Sequence, residues 1–147
     1  MRITGFSDYA FRVLMYLALH EERRATIGDI AEAYEVSQHH LTKVVQVLAH
    51  AGLVQTLRGK GGGLFLGREP ETIHLGDVVR ICEGDRPVLE CLEPGPVRCR
   101  IAPACRLVGL IDDAFEAFYA ELNRHTLADL VQPPRATALA RILMLDT

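Results

Sequence analysis

Two short helical patterns lie close together between Thr26 and Gly52, and they constrain the fold more than any other feature. The first opens on Thr26-Ile-Gly-Asp29, the residue pattern of a capping box. The second opens on Ser37, a favourable N-cap, and stops at Gly52. Apolar residues recur at helical spacing in both, namely Ile27, Ile30, Ala31 and Tyr34, then Leu41, Val44, Val45 and Leu48. Two such helices joined by a tight turn form a helix-turn-helix.

A glycine-rich hairpin is predicted directly after the second helix. Leu53–Leu57 and Leu64–Leu66 have the composition of strands on either side of the loop Arg58-Gly-Lys-Gly-Gly-Gly63. A phosphate-binding P-loop requires a different glycine spacing and lies between a strand and a helix, so this loop does not match one. The pattern instead favours the wing of a winged helix-turn-helix, within a mainly α fold.

The same stretch carries the candidate DNA-binding residues. In a helix-turn-helix the N-terminal residues of the second helix reach base edges in the major groove. Glycines in the wing allow close approach to phosphates, to which basic side chains add charge. No Asp or Glu occurs from Val36 to Arg68, which is consistent with a site for a polyanion, although chance clustering would look the same. The candidates are Ser37, Gln38, His39, His40 and Lys43 in the second helix, and Arg58 and Lys60 in the wing.

Cys91, Cys99 and Cys105 occupy one short stretch that is rich in proline and glycine. Free cysteine is often simply a small buried residue. We favour metal or cluster ligands, because an irregular loop is a poor place to bury three thiols for packing. Cys82 lies in a predicted brief helix over Gly76–Cys82 and is expected to be a core residue. Three thiolates leave one coordination position for a ligand from elsewhere.

The N-terminal segment predicts a helix from about Ser7, as N-cap, to Leu19. Asp8 falls in its first turn, where a negative charge suits the helix dipole, and it can pair with Arg12 four residues later. From periodicity alone, Asp8 needs no other role. Arg12 interrupts the apolar part, and no run spans a bilayer or ends in a signal-peptide cleavage site. We therefore expect a cytoplasmic protein with no membrane association and with reduced cysteines.

A long amphipathic helix is predicted from about Pro103 to Leu122. Its apolar stripe is broader than one small domain can cover, which favours a symmetric dimer over packing within one chain. The candidate dimerisation residues are Leu107, Leu110, Ile111, Ala114 and Phe118.

The chain of 147 residues is long enough for one small domain and a dimerisation element. We expect a DNA-binding domain over residues 1–80, a cluster-binding loop over 81–105, and a dimerisation helix with its tail over 106–147. A third short strand is predicted at Glu71–His74 and a short helix at Thr126–Val131. The sequence after Pro134 predicts nothing specific.

These segments together resemble the iron–sulfur winged-helix regulators of the NsrR/IscR/RirA type, and within them the NsrR-type nitric-oxide-sensing repressors. The resemblance runs from Arg2 to about Val131. It rests on Thr4-Gly-Phe-Ser-Asp-Tyr-Ala10, Val36-Ser-Gln-His-His-Leu-Thr-Lys43, the wing Arg58-Gly-Lys-Gly-Gly-Gly63, Pro103-Ala-Cys-Arg-Leu107, and Tyr119 to Val131.

The resemblance implies a homodimeric repressor that binds a palindromic operator in double-stranded DNA. It also implies an iron–sulfur cluster, 4Fe-4S rather than 2Fe-2S, held by the three loop cysteines and by Asp8 of the other protomer. Nitric oxide would release the DNA. IscR-like proteins use a His three residues after the last Cys, where this chain has Val108. The seven residues between Cys91 and Cys99 exceed the spacing expected of the family.

Other functions stay open on sequence grounds. The chain could be an iron–sulfur or iron-status regulator of the IscR/RirA type, a zinc module using all four cysteines, or a metal-free thiol-redox regulator. An enzyme is disfavoured, because no nucleophile and base are evidently paired and His39 and His40 fall on the predicted DNA face.

Overall fold

The computed structural model describes residues 3–20, 24–59, 61–84, 89, 91 and 99–145. In chain order its elements are α1 Gly5–Leu19, α2 Ile27–Ala33, α3 Gln38–His50, β1 Val54–Leu57, β2 Gly63–Leu66, a 3₁₀ turn Pro70–Thr72, α4 Leu75–Glu83, a 3₁₀ turn Ala102–Ala104, α5 Leu107–Leu122, α6 Leu127–Val131 and α7 Arg135–Ile142. The mainly α fold with a two-stranded wing is confirmed. None of the helices in these ranges is long and apolar enough to cross a membrane.

The core is built around α1, which packs against α3, α4 and α6. Its inward residues Ala10, Val13 and Leu14 are fully buried. The predicted inward residues of α3 are all buried as well, and those of α2 are buried or half-buried. Helical periodicity therefore identified the core face of both helices.

The turn between α2 and α3 has the geometry that the sequence predicts. Thr26 and Asp29 form the capping box at the start of α2. At its end Glu35 takes a left-handed conformation, φ 53°, and the Val36 N–H donates to the Ala31 carbonyl oxygen at 2.9 Å. This Schellman-type arrangement satisfies a carbonyl group at the end of α2 and turns the chain into α3.

The wing is an antiparallel pair in which Val54 faces Leu66 and Leu57 faces Gly63. The segment before α2 adds a third partner, because the Leu64 N–H donates to the Ala25 carbonyl oxygen at 2.7 Å. This contact fixes the wing against the helix-turn-helix.

The region from residue 70 to residue 83 corrects one prediction. No strand forms at Glu71–His74: Pro70–Thr72 is a 3₁₀ turn, and His74 makes only an isolated bridge with Thr126. Pro70 lacks a backbone N–H for a strand ladder, and its fixed φ suits the first residue of a helical turn. The predicted helix that follows is confirmed as α4.

The C-terminal third differs from the predictions at two places. The long helix begins at Leu107, since Pro103 lies in the preceding 3₁₀ turn. A further helix, α7, occupies the tail and buries Ala140, with Leu143 buried just beyond its end. The short helix after Thr126 is confirmed, and it has its own capping box. The division of the chain at residues 80 and 105 stays a prediction.

Candidate nucleic-acid interface and metal-ligand residues

The predicted DNA-binding residues of α3 lie on one exposed surface. Its core face is fixed by Leu41, Val44, Val45 and Leu48, so the opposite face points to solvent. Ser37 is the N-cap residue of α3, as predicted, although its side chain makes no capping hydrogen bond. All five predicted residues are exposed, namely Ser37, Gln38, His39, His40 and Lys43.

One of these residues is also in contact with α1. The His40 ring stacks on the Tyr9 ring, with centroids 6.1 Å apart and planes inclined by 18°. Tyr9 immediately follows Asp8, so a residue of the predicted DNA-binding surface touches the neighbour of the predicted fourth cluster ligand. Sequence reasoning did not assign Tyr9 a role.

The wing holds Arg58 at an exposed position, whereas Lys60 lies outside the described residues. The guanidinium group of Arg24 donates a hydrogen bond to the Gly61 carbonyl oxygen, which ties the wing loop to the segment before α2. Sequence reasoning missed Arg24, because its partner is far along the chain. Arg68 donates to the Ala51 carbonyl oxygen at 3.0 Å and so caps the end of α3.

The cysteines fall into two environments. Cys91 and Cys105 are half-buried and Cys99 is exposed, and none of these three belongs to the hydrophobic core. Cys82 packs against the core, as predicted. Burial, with a smaller effect of the Glu83 charge, raises the pKa of the Cys82 thiol to about 11, opposed by a hydrogen bond with Ser7. A thiol held neutral in this way is a poor metal ligand.

Backbone turns shape the described part of the cysteine loop. The Ala102 N–H donates to the Cys99 carbonyl oxygen at 3.2 Å, and the Cys105 N–H donates to the Ala102 carbonyl oxygen at 3.3 Å. Residues 92–98 lie outside the described residues. Among those that are described, no group of three or more His, Cys, Asp or Glu side chains is placed to hold a metal ion, so this single chain does not itself bring the predicted ligands together.

Asp8 lies in the first turn of α1 and pairs with Arg12 at 2.8 Å, which confirms the predicted ion pair. The Asp8 side chain is 54% exposed and the Arg12 side chain 33%. The Arg12 guanidinium also lies 5.7 Å from the ring centroids of Tyr9 and Tyr34. Arg12 therefore orients the Asp8 carboxylate from one side, and the rest of the carboxylate is open to solvent.

The prediction of Ser7 as N-cap is wrong. Thr4 is the N-cap residue, and Ser7 lies within α1, fully buried, with its hydroxyl group donating to Glu83 Oε1. The same oxygen accepts hydrogen bonds from the Thr4 backbone N–H at 3.0 Å and from Thr4 Oγ1 at 2.9 Å. Glu83 thus joins the start of α1, beside Asp8, to the end of α4.

Helix α5 leaves its predicted dimerisation face uncovered. No residue of α5 is buried, and Leu107 and Leu110 are 50% and 59% exposed. Ile111 and Phe118 are half-buried and Ala114 is exposed. Arg80 of α4 anchors the other side of α5 through Glu116 at 2.9 Å and through the Tyr119 ring, whose centroid lies 4.2 Å away.

Comparison with known proteins gives consistent matches over most of the chain. The model of the Rrf2 family, described as iron-dependent transcriptional regulators, matches residues 3–133. The HTH-type transcriptional regulator NsrR of Bacillus subtilis is 41% identical over 133 residues, which cover 90% of this chain and 91% of the relative.

Two solved structures have the same architecture. CymR, the global cysteine regulator of Bacillus subtilis, aligns with a TM-score of 0.64 and 31% identity, covering 88% of this chain and 95% of CymR. The IscR of T. potens aligns with a TM-score of 0.66 and 26% identity, covering 89% and 86% of the two chains.

Proposed function

The chain belongs to the Rrf2 family of transcriptional regulators, which are not enzymes, and from this premise we propose that it is a DNA-binding repressor that senses nitric oxide through an iron–sulfur cluster. The observation that carries the proposal is the family match over residues 3–133, which spans the helix-turn-helix, the wing and all three loop cysteines.

DNA binding is assigned to the exposed face of α3 and to the wing. Gln38 and His39 have donor and acceptor atoms that suit base edges, and Lys43 and Arg58 carry charge for phosphates. Lys60, two residues after Arg58, adds a second positive charge to the sequence of the wing. Because a symmetric dimer presents two such units, its operator would be a palindrome whose half-site spacing is set by the dimer.

The proposed cluster ligands are Cys91, Cys99, Cys105 and Asp8 of the partner subunit. The chemistry of this donor set fits an iron–sulfur cluster, since thiolates are its usual ligands and these three cysteines lie outside the core. Cys82 is not a ligand in this proposal, because its thiol is held protonated against the core. When bound, the cluster supplies the iron with which nitric oxide reacts.

Asp8 would be the residue through which one subunit contacts the cluster that its partner's cysteines hold. A carboxylate has two oxygens, so Asp8 can keep its ion pair with Arg12 through one oxygen while the other remains available as a ligand. Glu83 holds the adjacent Ser7 and Thr4, which limits the movement of this turn relative to α4. Loss of the Asp8 contact would then free the orientation of one DNA-binding unit relative to the other.

Homodimerisation is assigned to α5. Leu107 and Leu110 are the most exposed large apolar side chains on its uncovered face, and such a patch on a helix is typical of a symmetric interface.

The test starts from protein purified under anaerobic conditions. Iron, acid-labile sulfide and the visible absorption spectrum are measured first. DNA affinity is then measured by fluorescence anisotropy with a labelled palindromic DNA duplex that was selected from a random pool. We expect bound iron and sulfide, and a fall in DNA affinity of about 5–150-fold after nitric oxide, the usual range of allosteric coupling. Cys99→Ala should lose iron, whereas the matched variant Cys82→Ala should keep it.

Three results would contradict the proposal. Protein that binds no iron under argon after supply of ferrous salt and sulfide, yet recognises DNA normally, excludes the cluster. Zinc bound by all four cysteines favours a structural zinc module. Reversible disulfides among the loop cysteines, without metal, favour a thiol-redox regulator.

A further inference from the structure

A groove of about 700 Å³ lies where α1 and α2 meet α7, and the proposed function leaves it unused. Small-molecule sites in proteins usually enclose ~300–1,000 Å³. Its lining comes from the C-terminal half of α1, from α2 and the turn after it, and from the end of α7 with the residues that follow. None of the described residues of the cysteine loop and none of the exposed residues at the start of α3 lines this groove.

Two tyrosines form its aromatic wall. The rings of Tyr16 and Tyr34 have centroids 6.4 Å apart with planes inclined by 58°, and His20 extends the wall 5.3 Å from Tyr16. Tyr16 is only 4% exposed, and its hydroxyl group makes no hydrogen bond within the described part of the chain. No buried side-chain oxygen in the described part of the chain lacks a partner, so the Tyr16 hydroxyl oxygen is in contact with solvent, and from the lining of the groove it can form a hydrogen bond with a ligand.

The second wall is acidic. Asp29, Glu32 and Glu35 line the groove, and no Lys or Arg is among those lining residues that the structure describes. Burial, reinforced by the charges of Asp29 and Glu32, raises the pKa of Tyr16, which is consistent with a negative potential at the aromatic wall. Arg12 contacts the Tyr34 ring but does not line the groove, and Asp8 balances its charge.

The third wall is aliphatic and adaptable. Leu139 and Leu143 line it, together with Ile142 and Met144, which are 72% and 90% exposed. Methionine fills irregular space well, because it is unbranched and its sulfur is polarisable. This wall offers apolar area that an inorganic ion would not use.

We propose that this groove binds an amphipathic organic cation of drug-like size. The half-buried Tyr34 ring attracts a cation through its quadrupole, the carboxylates add a longer-range attraction, and the aliphatic wall takes the apolar body of the ligand. The carboxylates repel an anion. A neutral apolar ligand would gain nothing from the acidic wall.

The test uses three probes of similar shape and different charge: tetraphenylphosphonium, triphenylphosphine oxide and tetraphenylborate. Binding to the full-length protein is measured by isothermal titration calorimetry. We expect tetraphenylphosphonium to bind about tenfold or more tightly than the neutral probe, in line with a desolvated cation–π contact supported by carboxylates. Tetraphenylborate should bind weakest.

Variants locate the site. Glu32→Gln with Glu35→Gln should weaken tetraphenylphosphonium binding about tenfold, because two exposed carboxylates each contribute modestly. The control Glu71→Gln with Glu121→Gln makes the same change in net charge at exposed positions outside the groove and should have little effect. Met144→Arg, at a 90% exposed position, should also weaken binding without disturbing the core.

Several outcomes would overturn the proposal: no binding of tetraphenylphosphonium, equal affinity for the cationic and neutral probes, or equal effects of the groove and control variants. If Met144→Arg instead lowered the sedimentation coefficient of the protein without changing probe binding, the groove would be a contact between copies of the chain.

Discussion

The hydrogen bond between Ser7 and Glu83 is the most specific structural support for the position of Asp8, and its strength can be measured. Ser7 is fully buried and its hydroxyl group donates to a carboxylate oxygen. Hydrogen bonds to charged groups contribute about 1.5–3 kcal/mol to stability, against about 1 kcal/mol for neutral pairs. Because Glu83 is only half-buried, we expect the lower part of that range, about 1.5–2 kcal/mol.

The assay is a double-mutant cycle of Ser7→Ala and Glu83→Ala, with urea unfolding followed by circular dichroism at neutral pH. The coupling energy isolates the contact between the two side chains, so the other hydrogen bonds of Glu83 cancel. Ser37→Ala is the matched control, since its side chain is exposed and makes no capping hydrogen bond; it should cost less than about 0.5 kcal/mol.

A coupling energy below about 0.5 kcal/mol would refute the assigned strength of this bond. The functional consequence has its own readout, which is the rate at which the anaerobic protein loses iron on dilution. Both single variants should lose iron faster than the parent protein, because the turn that carries Asp8 is less firmly held. A strong coupling energy with a normal rate of iron loss would establish the hydrogen bond but exclude its proposed role in positioning Asp8.

Three further predictions concern single positions. Burial raises the pKa of the Cys82 thiol to about 11, so this thiol stays protonated below that pH. In cluster-free protein at pH 8, iodoacetamide should therefore label Cys99 about two orders of magnitude faster than Cys82, as measured by mass spectrometry. Equal labelling rates would contradict the buried position of Cys82. Arg58→Ala should reduce the slope of log affinity against log salt by about 1, whereas Arg141→Ala, on α7, should leave it unchanged; an unaltered slope for Arg58→Ala would exclude a phosphate contact. Leu110→Asp should convert the dimer to monomer in sedimentation velocity, and an unchanged mass would place the interface elsewhere.

The sequence was sufficient for features whose determinants are close together in the chain. The capping box of Thr26 and Asp29, the ion pair of Asp8 and Arg12, and the core face of α3 each depend on residues three or four positions apart. Helical geometry brings such residues together whatever the rest of the chain does. These predictions are confirmed for that reason.

Two of the predictions that failed, and one contact that was missed, concern residues far apart in the chain. Ser7 has the chemistry of an N-cap, but Glu83, 76 positions away, uses its hydroxyl group instead. In the described part of the chain, residues 71–74 have no neighbouring strand to complete a ladder, and only the bridge between His74 and Thr126 forms. Arg24 escaped notice because its partner, Gly61, lies at the far end of the wing. The metal ligands and the dimer interface stay predictions.

The apolar surface between the last cysteine-loop turn and α5 limits how stable the proposed dimer can be. Ile101, Leu107 and Leu110 are 66%, 50% and 59% exposed, so burying what remains of each side chain gives about half of the ~1.5–3 kcal/mol for full burial. Over two chains this amounts to roughly 5–9 kcal/mol, which is comparable with the ~4–15 kcal/mol cost of association. Contacts from these three residues alone therefore give a weak dimer. Bonds from Asp8 of one protomer to a cluster held by its partner would add to the small free energy of dimerisation. A change at the cluster would therefore alter the pairing of the two DNA-binding units.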